Sequence, residues 1–184
     1  MNTNSGIPHR QHTALLLIDI QERLMPVIAN QQQVFDNANK LLQGAQILNL
    51  PIIVTEQYPK GLGKTCPEIQ LPANQQITEK TCFSCMLSDG VMRQLIDAGA
   101  KSVILAGAEA HICVLKTALD ALQNGFEVHV VADAVSSRTE QNRQLALERM
   151  RQSGAFIVSV EMILFQLLEA AGTDEFKQIS KLIK

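Results

Sequence analysis

Along this chain, short continuous apolar runs alternate with stretches whose apolar residues recur every three to four positions. Residues 14–18 (ALLLI), 52–54 (IIV), 103–106 (VILA) and 155–160 (AFIVSV) are runs of the first kind, and 127–131 (EVHVV) alternates with period two. Runs of that length with β-branched content predict strands, and the unbroken ones predict strands buried on both faces. Residues 77–81 (ITEKT) add a short extended piece. Helical spacing is carried by 34–48, through Val34, Ala38, Leu41, Leu42, Ala45 and Leu48, and then by 88–98, 110–122 and 139–152. Two further helices, 162–170 and 174–182, close the chain. Residues 59–74 hold three prolines and two glycines and read as a loop, residues 134–138 (AVSSR) read as a turn after a strand with Asp133 at its end, and Thr139 followed by Asn142 is a weak echo of a capping box. Strands and helices alternate throughout. That pattern predicts an α/β fold, a parallel sheet covered by helices on both faces through right-handed crossovers.

Composition narrows the class. A chain of 184 residues suffices for one domain with a full core and is short for two, so 1–184 is expected to be a single domain behind a polar lead-in over 1–12. Hydrophobic residues make up 46% and charged ones 18%, with no tryptophan and one tyrosine, the profile of a globular protein with an aliphatic core. The formal net charge of -2 leaves no basic surplus for nucleic acid or an anionic membrane. The start lacks the apolar segment of a signal peptide, and no apolar run approaches the roughly 20 residues of a membrane span, so a cytoplasmic protein is expected. Four cysteines in such a chain suggest free thiols.

Residues 103–115 (VILAGAEAHICVL) are the stretch around which the chemistry gathers. They read as strand, tight turn and helix, with Cys113 in the first turn of the helix, where unpaired N–H groups and the helix dipole favour a thiolate. A cysteine there, at the carboxyl end of a parallel strand, is a candidate nucleophile; the plain alternative is a small buried core residue. Asp19 ends the first strand and is either a turn cap or a catalytic acid. Lys80, taken locally, is a surface charge. Residues 61–65 (GLGKT) hint at a phosphate loop, but the required first glycine is Tyr58 and Cys66 and Pro67 follow where a helix should start. Cys82 and Cys85 form a C-x-x-C ahead of a helix, the spacing of a thiol redox motif.

Three separated pieces, LLLID ending in Asp19, EKT carrying Lys80 and GAEAHICV carrying Cys113, together resemble the isochorismatase-like cysteine hydrolases. VTEQYPKGLG, KTCFS, HVVADAVSSR and RMRQSGAF are similar to the branch called isochorismatase-domain-containing proteins. The resemblance spans nearly the whole chain. It implies a six-stranded parallel sheet in a three-layer α/β/α sandwich of Rossmann-like type, a homo-oligomer of two or more copies, and a triad of Asp19, Lys80 and Cys113. In that triad Cys113 attacks a carbonyl or imine-like carbon, Asp19 takes and returns the proton, and Lys80 holds Asp19 and lowers the pKa of both neighbours. It further implies a cis peptide at Ala108–Glu109 that aims backbone N–H groups near Ala110 and Cys113 at an oxyanion.

Departures from the family matter as much. Nicotinamidases of this family hold a metal with an aspartate and histidines after the second strand, where this chain has Glu56, Gln57 and Tyr58; its histidines, His9, His12, His111 and His129, lie elsewhere. No metal and no other cofactor are therefore expected, and nicotinamide is disfavoured as substrate. True isochorismatases work without a cysteine nucleophile, so Cys113 argues against that reaction. Glu56, Tyr58, Phe83 and His111 are candidate pocket residues. The expected function is hydrolysis of a small-molecule amide or related C–N bond through a thioester on Cys113. A thiol redox protein using Cys82 and Cys85, and a non-catalytic binder of small molecules, are the alternatives, the second because fold does not guarantee function.

Overall fold

A computed structural model describes residues 6–184, so the first five residues of the polar lead-in lie outside the described part. The strands are β1 (Thr13–Ile18), β2 (Ile52–Gln57), β3 (Ile77–Lys80), β4 (Ser102–Ala108), β5 (Glu127–Ser136) and β6 (Phe156–Val158). They form one six-stranded sheet in the order β3-β2-β1-β4-β5-β6, with every pairing parallel. Helices α1 (Gln31–Ile47), α2 (Pro59–Leu62), α3 (Asp89–Asp97), α4 (Leu115–Gln123), α5 (Glu140–Gln152), α6 (Val160–Gln166) and α7 (Asp174–Ile183) connect and cover it.

The unbroken apolar run of β1 explains the layering. All six of its residues are buried, and because neighbouring side chains of a strand point to opposite faces, the run feeds two cores at once. Leu15 and Leu17 pack with Phe35 and Leu42 of α1, Leu164 of α6 and Ile179 of α7. Ala14, Leu16 and Ile18 pack on the other side with Leu95 of α3, Ala118 of α4 and Met150 of α5. The result is the three-layer sandwich. Thr139 caps α5 by accepting the Asn142 N–H at 3.2 Å, which places the start of that helix where the sequence signal put it.

The order of strands sets the site. It reverses direction around β1, whose neighbours are β2 and β4, and open parallel sheets bind ligands beyond the carboxyl ends of such strands. At those ends Ile18 lies beside both Thr55 and Gly107, and Gln57 lies beside Lys80. Gly107 has φ of +121°, and a Cβ there would sit 2.0 Å from the Ile18 carbonyl oxygen, so only glycine lets β4 pass β1 this closely just before Asp19.

One element differs from expectation. β5 runs on to Ser136 through a register shift against β4 between Leu105 and Gly107, where the sequence predicts a turn after Asp133. The polar side chains that suggested the turn are satisfied inside the fold. Asp133 Oδ1 accepts the Val160 N–H at 3.0 Å, and the Ser136 hydroxyl donates to the Ala29 carbonyl at 2.6 Å.

Candidate active site

Asp19, Lys80 and Cys113 come from the carboxyl ends of three strands and meet in one cluster. Asp19 follows β1 with φ of +53°, a left-handed conformation that aspartate tolerates better than most residues. Its carboxylate is held from both sides: Oδ1 accepts from the Thr55 hydroxyl at 2.7 Å, and Oδ2 accepts from Lys80 Nζ at 2.7 Å. The Asp19 and Lys80 side chains have no solvent exposure. Lys80 Nζ also donates to Gln57 Oε1 at 2.8 Å and to the carbonyls of Cys82 and Phe83 at 3.3 and 3.4 Å, so a buried cation is ringed by acceptors. The local expectation of a surface lysine does not hold.

The backbone then delivers the cysteine. The Ala108–Glu109 peptide is cis, and residues Ala110–Val114 form a π-helical turn that precedes α4. Cys113 is buried on that turn and lines one cavity with Asp19. Here the sequence expectation of a favoured thiolate is overturned. Burial pushes the Cys113 thiol upward, the Asp19 charge pushes it the same way, and Lys80 opposes them without prevailing. Lys80 shows the converse balance: burial, the largest single influence, works against its charge, and Asp19 together with the sulfurs of Cys85 and Cys113 raises it on balance. The resting site is a neutral thiol beside a lysine-paired carboxylate.

A cavity of about 90 Å³ opens over this pair. Asp19 and Cys113 line it with Leu24, Leu62, Phe83 and Ile112 as apolar walls, and Gln57 and Glu109 as further polar groups. Of the candidate pocket residues, Phe83 alone lines this cavity. Glu56 is turned toward the loop, where its Oε1 accepts the Thr65 N–H at 2.6 Å and the Thr65 hydroxyl at 2.8 Å. The His111 ring bonds the Ser137 hydroxyl at 3.0 Å, and Tyr58 lies in a neighbouring cleft with Leu87 and Cys82. Strand alternation was the signal for what those choices missed. Thr55 and Gln57 share one face of β2 and reach Asp19 and Lys80, whereas Glu56 between them points the other way.

The two cysteines of the C-x-x-C differ in burial. Cys82 and Cys85 are free thiols; Cys82 is half-buried, and Cys85 is fully buried, its thiol pushed up to about 12, chiefly by burial. Among the described residues no group of three His, Cys, Asp or Glu side chains is placed to hold a metal ion, and no helix is long and apolar enough to cross a membrane.

A three-layer α/β sandwich with acid, amine and thiol gathered at its strand ends is a hydrolase fold. Residues 13–162 match the isochorismatase domain, and the chain belongs to that family. It is 48% identical over 172 residues to isochorismatase domain-containing protein 2 of Danio rerio, covering 93% of this chain and 86% of the relative. It is 46% identical to the secreted isochorismatase effector Isc1 of Phytophthora sojae, over 97% and 86% of the two chains. Among solved structures, the MAR1 ribonuclease from Caenorhabditis elegans superimposes with a TM-score of 0.90 at 39% identity, covering 96% of this chain and 91% of that one.

Proposed function

We propose that this protein is a metal-independent cysteine hydrolase of a small amide or related C–N bond. The observation that carries the reading is the Cys113 thiol lining one small cavity with a carboxylate that Thr55 and Lys80 fix in place. As substrate enters, the Cys113 proton passes to Asp19 and the sulfur bonds to the carbonyl carbon, whose oxygen becomes an oxyanion facing the backbone around Ala108, Glu109 and Ala110. Collapse breaks the C–N bond as Asp19 returns the proton to the leaving amine. Water then gives a proton to Asp19 and its oxygen to the thioester, and collapse of that adduct releases the acid while Asp19 reprotonates the sulfur. Lys80 keeps a positive charge against Asp19 in the steps where the carboxylate is ionised. Gln57 and Glu56, at the strand end where a metal set would stand, are committed to Lys80 and Thr65.

A second reading takes support from the ribonuclease name of the Caenorhabditis elegans structure. Phosphoryl transfer calls for cations on the phosphate oxygens. Lys80 is spent on Asp19 and Gln57, and the cavity carries a second carboxylate, so the site favours the amide reading.

The test is incubation with a panel of small primary amides and carbamoyl compounds, reading ammonia release and, after acid quench, an acyl group on the Cys113 peptide by mass spectrometry. Release with the adduct on Cys113 is expected. No release and no adduct across the panel removes the reading, and RNA cleavage that survives in Cys113→Ala puts the second in its place.

A further inference from the structure

The second carboxylate over Cys113 has a role of its own. Glu109 lines the cavity, and its side chain is 8% exposed. Glu109 Oε2 accepts from the Arg138 backbone N–H at 3.2 Å and from Arg138 Nε at 3.0 Å. Oε1 has no hydrogen-bond partner among the described residues, yet it is not one of the buried atoms left sealed and unpaired, so a ligand can reach it. Arg138 is 55% exposed in its side chain, which leaves its charge largely hydrated and only a partial offset to Glu109. The nearest buried cation, Lys80, is engaged by Asp19 and Gln57, and the walls formed by Leu24, Leu62, Phe83 and Ile112 offer no donor. A ligand bearing N–H groups therefore meets one unpaired acceptor, Glu109 Oε1, in a small apolar space. A ligand bearing a carboxylate meets the like charge of Glu109, with that of Asp19 beneath it.

We propose that Glu109 is a specificity-determining residue that restricts the site to small, non-anionic substrates carrying N–H donors, the class of primary amides, ureas and amidines, and rejects carboxylates. The inference rests on the cysteine-hydrolase reading for the identity of the site, and its test does not depend on turnover.

Cys113→Ala protein keeps the cavity and removes the nucleophile. Its affinities for propionamide, propionamidine and propionate, three probes of nearly one shape, are measured by NMR titration at pH 7. Propionamide and propionamidine are expected to bind at least about tenfold more tightly than propionate, the ratio that one hydrogen bond to a charged group supports. Adding Glu109→Gln is expected to close most of that gap by admitting propionate. Arg138→Met, which leaves the carboxylate uncompensated, is expected to widen it in favour of propionamidine and serves where Glu109→Gln does not fold. Propionate binding as tightly as propionamide, a gap that neither variant moves, or no measurable binding of propionamide overturns the proposal. The two readings fail separately. A gap without ammonia release from any amide removes the hydrolase and leaves the selectivity, and ammonia release without a gap removes the selectivity alone.

Discussion

Cys113→Ala is expected to lose amide turnover by roughly four orders of magnitude or more, the scale on which removal of a nucleophile abolishes covalent catalysis. Asp19→Asn should fall comparably, because the asparagine cannot accept the thiol proton or deliver one to the amine. The two variants differ in an instructive way. Asp19 is one of the causes that raise the Cys113 thiol, and Lys80 opposes it. Deleting the carboxylate charge and keeping the lysine lowers the thiol pKa, so at pH 7.5 the inactive Asp19→Asn protein carries more thiolate than wild type. Its Cys113 should react faster with iodoacetamide, as followed by peptide mass spectrometry. Slower alkylation in Asp19→Asn would mean that Asp19 acts on the thiol more as a base than as an opposing charge, and substantial turnover in Cys113→Ala is incompatible with Cys113 as the nucleophile.

The second large effect is on stability. Lys80 and Asp19 are a 2.7 Å ion pair with no exposure on either side chain. Breaking such a pair from one side strands a charge in the interior, at a cost of about 3–5 kcal/mol. Lys80→Met should therefore lower the urea midpoint sharply and the melting temperature by roughly 10 °C. Lys80→Met combined with Asp19→Leu removes both charges and should recover most of the loss, since a buried pair is worth little against apolar groups of similar volume. An unchanged midpoint in the single variant would mean that water reaches Asp19.

Much of the fold was legible because a parallel sheet writes itself as unbroken apolar runs: β1, β2 and β4 were located by LLLI, IIV and VILA. The far end of β5 was hidden because Asp133 and Ser136 look like turn residues until their partners, Val160 and Ala29, are known. In the site, the pieces around Asp19, Lys80 and Cys113 could be named only together, through a resemblance. Nothing next to Lys80 in sequence predicts its burial, which comes with Asp19, just past β1, and Gln57 of β2. A helix start favours a thiolate only where burial and like charge do not oppose it, and Cys113 meets both on a π-turn beside Asp19, a residue distant in sequence. Leu24, Leu62 and Ile112 reach the cavity from a turn, from α2 and from the π-turn, and no periodicity marks them.

Strand β3 spans only Ile77–Lys80, pairs on one side with β2, and of its four residues Lys80 alone is buried. So short an edge is where a sheet opens at the smallest free-energy cost, by a local fluctuation that leaves the central strands paired. The amine that holds Asp19 rides on that edge. Under mild denaturant the protein should accordingly go silent while α1, β1 and β4 remain intact, with faster hydrogen exchange at β3 than at β4 as the accompanying sign. The durability of the activity is thus set by the margin of the sheet, and the durability of the fold by its middle.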